Sequence, residues 1–208
     1  MSDQPTSEDV MAAFQDVWAE VFHGAPVIPQ GYVDGTLTVA TVSRAWHTHL
    51  RLVGHGLVAK LNKALPAPII SNLRVRLDPV RILVTGSRTW TNTRIVDDAL
   101  LDAWHDAVQV YGASTAIVVV HGACPRGADS YADAWASRQN PRYVAVEPHP
   151  ADWKNLGRGA GFRRNAEMVQ CGADLCLAFI KDGSSGATHT ADLAEQNGIP
   201  TLRFEEDA

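Results

Sequence analysis

The chain has 208 residues, 46% of them hydrophobic and 20% charged, with a formal net charge of −5. That length suits one large domain or two small ones, and the charge excludes a nucleic-acid protein that is basic throughout, though not a local basic face. Cys124, Cys171 and Cys176 contain no Cys-x-x-Cys pair; they read as reduced thiols of a cytoplasmic protein, not as a disulfide framework or zinc site.

No apolar run approaches a membrane span, and the polar stretch Met1–Asp9 is no signal peptide. Val10, Phe14, Val17 and Val21 recur at helical spacing, with Thr6 or Ser7 as a cap. A Pro- and Gly-containing loop, Gly24–Gly31, follows. Asp34-Gly35 is a hairpin turn signal joining a strand near Ile28–Val33 to Thr36–Val42. Ser43 then caps a helix that carries Trp46, Leu50 and Val53 on one face. Gly54-His55-Gly56 is expected to interrupt it, with a second helix carrying Leu57, Leu61 and Leu65. Ile69–Leu77 alternates, Leu73, Val75 and Leu77 inward and Arg74 and Arg76 outward. The expected order is α-β-β-α-α-β, a small α+β domain over residues 1–78. His47, His49 and His55 have no metal-ligand spacing, so no metal site is expected.

Gly35-Thr36-Leu37-Thr38-Val39, Ser43-Arg44-Ala45-Trp46, Leu50-Arg51-Leu52, Leu61-Asn62 and Leu73-Arg74-Val75 resemble the DciA family of bacterial replicative-helicase loaders. The resemblance covers roughly Asp9–Leu77. It implies a KH-like domain, with a replicative helicase or nucleic acid as the partner of residues 1–78. KH domains that clamp nucleic acid use a Gly-x-x-Gly loop, and Gly54-His55-Gly56 is one residue short of it. Between Gln30 and Asp78, six Lys or Arg stand against two Asp, a local excess of the kind that attracts phosphate backbones but also an ordinary solvated surface.

Asp78-Pro79 marks the boundary, because proline disfavours helix before it and suits a strand start. Strand and helix then alternate through residues 79–208. Val80–Thr85 is a strand with the apolar run Ile82-Leu83-Val84. A helix from near Thr93 carries Val96, Leu100, Trp104 and Val108 on one face. Thr115–Val120 is the second strand, and Ala128, Ala132, Trp135 and Ala136 mark the next helix. Tyr143–Val146 is the third strand, with Phe162, Ala166 and Val169 on the helix after it. Asp174–Ile180, Ala187–Gln196 and Ile199–Phe204 complete the series. This pattern predicts right-handed crossovers and a mostly parallel five-stranded sheet with helices on both faces.

Parallel strands gather their carboxyl-end loops on one edge, where open α/β sheets bind ligands. Those loops are Gly86-Ser87-Arg88, His121–Asp129, the long Glu147–Ala160 leading into Gly161-Phe162-Arg163-Arg164-Asn165, and Lys181–Gly186. Glycine backbone and helix N-termini hold phosphate. The expected ligand residues are therefore Gly86, Ser87, Arg88, His121, Gly122, Gly127, Asp129, Arg164, Asn165, Gly183, Ser184 and Gly186. Asp129 reads equally as the cap of a helix beginning near Ser130. Gly122 and Gly127 have P-loop spacing, but Ala128-Asp129 replaces the Lys-Ser/Thr that would hold phosphate and magnesium. No Gly-x-Gly-x-x-Gly follows the first strand either.

Val84-Thr85-Gly86-Ser87-Arg88, His121-Gly122 with Gly127-Ala128-Asp129, Asp152-Trp153, Gly157, Ala160-Gly161, Arg164-Asn165, Met168 and Gly183-Ser184-Ser185-Gly186 resemble the SLOG superfamily. This is the Rossmann-like group that contains DprA and LOG proteins, and the chain looks like its YspA/YpsA-related branch across nearly all of Arg81–Phe204. The resemblance implies binding or sensing of a nucleotide or nucleotide-derived ligand of ADP-ribose or NAD type, names no further cofactor, and points to a homodimer as in LOG proteins. LOG members also hydrolyse nucleoside 5′-monophosphates at the N-glycosidic bond, using Pro-Gly-Gly-x-Gly-Thr-x-x-Glu. Here Lys181–Thr190 aligns with that motif, and Thr190 stands in the place of the catalytic Glu. Glycosidic cleavage needs a carboxylate, with Asp129, Asp152 and Glu167 as the substitutes in reach. The first reading is therefore ligand binding without turnover, coupled to the DciA-like module. A phosphoribohydrolase and a replication-associated helicase or DNA adaptor are the alternatives.

Overall fold

The computed structural model describes residues 5–22 and 26–206. Residues 1–4 of the polar N-terminal stretch, and residues 24–25 of the expected Gly24–Gly31 loop, lie outside them. Two compact units emerge, Met1–Pro79 with Tyr111–Thr115, and Val80–Val110 with Ala116–Ala208.

In the first unit, α1 (Ser7–Phe22) is followed by β1 (Val27–Val33), β2 (Thr36–Thr41), α2 (Arg44–Ala64) and β3 (Asn72–Leu77). Thr6 caps α1 reciprocally: its N–H donates to Asp9 Oδ2 at 2.7 Å, and Asp9 N–H donates to Thr6 Oγ1 at 3.3 Å. Asp34 and Gly35 both have positive φ, 46° and 75°, which makes the two-residue turn that pairs Val33 with Thr36. β1 and β2 are antiparallel and β2 and β3 parallel, so the three-stranded sheet is mixed. Val10, Phe14, Leu37, Val39, Leu50 and Leu61 form its dry centre.

The expected break at Gly54-His55-Gly56 is absent. These residues lie within the single 21-residue helix α2, so the order is α-β-β-α-β and no helix–helix loop exists to form a clamp. Glycine in a helix interior costs about 1 kcal/mol relative to alanine. Leu50, Leu57 and Leu61 are buried on one stripe of α2, and burying each contributes about 1.5–3 kcal/mol, so packing outweighs propensity. Gly54 belongs to that stripe, where a Cβ would stand 3.2 Å from Leu73 Cδ2 on β3; its missing side chain lets helix and strand approach.

The second unit is an α/β fold whose five-stranded sheet is parallel throughout. Its elements are β4 (Val80–Gly86), α3 (Thr93–Tyr111), β5 (Ile117–His121), α4 (Ala128–Ser137), β6 (Val144–Pro148), α5 (Trp153–Leu156), α6 (Ala160–Gln170), β7 (Leu175–Lys181), α7 (Ser185–Gln196) and β8 (Thr201–Glu206). The strand order is β6-β5-β4-β7-β8. From β4 the chain steps one way to β5 and β6, then returns to β7 and β8 on the other side. Right-handed crossovers therefore put α3 and α4 on one face and α6 and α7 on the other. β4 is central, and Ile82, Leu83 and Val84 are essentially inaccessible to solvent, as a strand covered on both faces requires.

The inward face of α3 is built from Val96, Ala99, Leu100, Ala103 and Ala107, leaving Trp104 and Val108 half-buried at its margin. The stretch read as one long loop, Glu147–Ala160, contains the end of β6, the single turn α5 and a 3-10 turn at Gly157–Gly159. Pro148 is tolerated in β6 because that strand is at the sheet edge. On α6, Asn165, Met168 and Val169 face inward while Phe162 is 45% exposed. Among the described residues, no helix is long and apolar enough to cross a membrane.

Candidate functional site

The order reversal between β4 and β7 opens a crevice at their carboxyl ends, as expected where consecutive crossovers diverge to opposite faces. A cavity of about 400 Å³ occupies it. All four loops singled out in the sequence reach its wall. Gly86 ends β4 and Ser87 and Arg88 follow it, and Gly122 and Asp129 flank the loop after β5. Arg164 and Asn165 come from α6, and Ser184 and Gly186 from the start of α7. His121, Gly127 and Gly183 do not line the cavity.

The glycines act mainly as sites of close approach. A Cβ on Gly86 would overlap Ala128 Cβ and lie 2.9 Å from Phe179 O, so β4 and the first residue of α4 meet only because that side chain is absent. Gly127 has φ +74°, and a Cβ there would overlap Ser87 O and lie 2.9 Å from Arg88 Cα. It is the N-cap of α4, locked against the β4 loop. The Arg164 guanidinium fills the place of a Gly122 side chain.

Ser87 is buried, and its hydroxyl is fully engaged. Its Oγ accepts from Lys181 N–H at 2.8 Å and donates to Lys181 O at 3.2 Å. The hydroxyl thus ties the ends of β4 and β7 together at the cavity wall. His121 is also inside: Ala123 N–H donates to its Nδ1 at 3.1 Å, and its Nε2 lies 3.6 Å from Asp133 Oδ1. Burial lowers the His121 pKa, against the pull of Asp129 and Asp133, and a neutral ring suits an Nδ1 that accepts. The ring thus accepts from the N–H of Ala123, whose φ is +54°, and does not line the cavity.

Asp129 lies in the first turn of α4, after the cap, and does not cap it. Its Oδ2 accepts from Cys124 N–H at 3.1 Å and closes the β5–α4 loop. Burial raises its pKa, opposed by the N–H of Cys124 and by Arg164. Arg164 Nη1 donates to Gly122 O and, at 3.1 Å, to His149 O, while Nε donates to Asn165 Oδ1 at 2.8 Å. Burial lowers its pKa, with Asp129 and Cys124 pulling the other way and Arg88 adding to the fall. Asn165 completes the chain by donating to Gly186 O at 3.2 Å. Arg164 and Asn165 therefore hold the loops after β5 and β7 at a common depth.

The open chemistry lies opposite. Ser184 is the N-cap of α7, but its side chain makes no capping bond. The first N–H groups of that helix, at Ser185, Gly186 and Ala187, have no intrahelical acceptors, and these residues line the cavity. Arg158 also reaches the wall; its signal in the sequence is its position between Gly157 and Gly159 in the loop after β6. The Arg88 guanidinium sits 5.5 Å above the Trp153 ring, and neither Arg88 nor Arg158 has a carboxylate partner among the described residues. Asp129 is the one carboxylate in the wall. Thr190, at the place of the LOG glutamate, is fully buried and donates to Gly186 O at 2.9 Å. Asp152 caps α5 and Glu167 is outside the wall.

Residues 80–156 match the YspA, cpYpsA-related SLOG family. Gene 61 protein of Mycobacterium phage D29 is 47% identical over 126 residues, a stretch covering 60% of this chain and 95% of the phage protein. No solved structure matches the chain.

Proposed function

The chain belongs to the YspA, cpYpsA-related SLOG family, and from that premise we propose that its second unit binds a nucleotide-derived ligand through phosphate, without turning it over. The observation that carries this reading is the uncapped N-terminus of α7 opening onto a cavity rimmed by Arg88, Arg158 and Arg164. Free helix N–H groups and the positive end of the helix dipole favour an anion. The guanidinium groups add charge-assisted hydrogen bonds worth about 1.5–3 kcal/mol each. Trp153 and Phe162, both half-exposed on the same wall, offer faces on which a base stacks.

Binding is favoured over glycosidic cleavage because Asp129, the carboxylate in the wall, already accepts from the loop backbone, and Thr190 has no acid function. The test is a thermal-shift and calorimetric titration with AMP, ADP-ribose, NAD and cyclic dinucleotides. We expect binding by at least one of them, weakened about tenfold by Arg158→Ala with the melting temperature unchanged. Folded protein that binds none of them sinks the reading. Release of free base from AMP would instead favour the phosphoribohydrolase.

For residues 1–78 the proposal is a DciA-like interaction module answering to the state of the second unit. The α-β-β-α-β order and the local excess of Lys and Arg support it. Binding of the full chain to a replicative helicase or to single-stranded DNA, steeply weakened by salt, is the expected result; no binding to either removes the module from the reading.

A further inference from the structure

A second cavity of about 410 Å³ adjoins the first. The two share Arg88, Gly122, Cys124, Trp153 and Arg164, so one wall separates two lobes of a single depression. The outer lobe is completed by Ala123, Pro125, Arg126, Pro150 and Ala151. Its two prolines each fix one φ, which restricts the two loops that form the wall.

Charge is distributed unevenly around these lobes. Elsewhere in the second unit, Arg81, Arg94, Arg138 and Arg203 each meet a carboxylate, while Arg142 and Arg163 stand on exposed surface away from both lobes. Arg88, Arg126 and Arg158 meet none among the described residues, and Arg164 donates to carbonyls. Four arginines thus face Asp129 alone across the combined walls. A single phosphate at the start of α7 answers the charge of the first lobe. Arg126 lines only the outer lobe, where no carboxylate answers it.

Building on the phosphate reading of the first lobe, we propose that the two lobes form one bipartite site. The outer lobe holds a second phosphate, set apart from the first in the same ligand as in a linear dinucleotide, and Arg126 selects for it. Arg126 is exposed and makes no contact that the fold depends on, so replacing it separates recognition from folding.

The experiment is calorimetry with AMP, ADP and the linear dinucleotide pApA on the full chain and on Arg126→Ala. The native chain is expected to bind pApA at least tenfold more tightly than AMP. Arg126→Ala should weaken pApA about tenfold and AMP less than twofold, with an unchanged melting temperature. ADP is the control, because its added phosphate adjoins the first; its affinity should survive the substitution. Equal affinity for AMP and pApA overturns the bipartite site and leaves the first-lobe reading standing, as does a loss on Arg126→Ala that is the same for ADP and pApA. Failure of all three ligands to bind overturns the bipartite site; only failure of ADP-ribose, NAD and the cyclic dinucleotides as well brings down the first-lobe reading with it.

Discussion

Two groups of glycines invite the same interpretation in the sequence and behave oppositely in the fold. Gly54 and Gly56 stand in α2 of the first unit, where nothing lies within 4 Å of a Cβ on Gly56 and only a side-chain methyl crowds one on Gly54. Gly86 and Gly127 stand where backbone meets backbone in the second unit, and a Cβ on either would collide with main-chain atoms. A glycine marks a turn or a close approach only when another part of the chain occupies the space that it vacates. In α2 a buried leucine stripe carries the helix through. At the carboxyl edge of the sheet, the packing of β4 on α4 requires the gap.

The sharpest way to break this contrast is Gly127→Ala. With φ 74° and ψ −152°, Gly127 sits in a region open in practice only to glycine, which costs another residue about 1–3 kcal/mol, and overpacking adds about 1–3 kcal/mol. A loss of about 3 kcal/mol in urea unfolding is expected, together with loss of nucleotide binding; a neutral effect would show that the loop is free to move. Gly56→Ala should do the reverse and stabilise by about 0.5–1 kcal/mol. A destabilising Gly56→Ala would mean that the helix breaks there after all.

Titration offers a gentler probe of contacts made at a distance. Arg81 forms two hydrogen bonds with Glu147, each at 2.8 Å, and these hold the Glu147 carboxyl down at about 2 from its ordinary 4.5. A carboxyl depressed in the folded state binds fewer protons there than when unfolded. Its stabilisation is complete above pH 4.5 and is lost as the pH falls toward 2. The melting temperature should therefore fall across that window, and Glu147→Gln should flatten the fall. His121 acts earlier. Its pKa is lowered by burial, so the unfolded chain takes up the proton first and stability declines as the pH drops below the ordinary histidine value of 6.5. His121→Asn should remove that step.

The smallest expected effect is chemical. Burial pushes the Cys176 thiol up to about 12, whereas Cys171 is exposed. Alkylation of the native chain at pH 8 should modify Cys171 and spare Cys176, as mass mapping of the labelled peptides would show.

Much of this architecture was legible because it follows from local periodicity. The apolar run Ile82-Leu83-Val84, the alternation of Leu73, Val75 and Leu77, and the Asp34-Gly35 turn each define an element by themselves. The alternation of strand and helix after Pro79 implies parallel strands and a single ligand-bearing edge. Tertiary structure alone decided which groups on that edge are available. Ser87 and His121 look like ligand residues in the sequence, yet Lys181 engages the Ser87 hydroxyl and Ala123 the Nδ1 of His121. Arg158 looks like a loop residue and reaches the cavity wall. Short-range spacing sets the conformation of a segment, but whether a hydroxyl or a guanidinium is free depends on partners tens of residues away, and no local pattern encodes them.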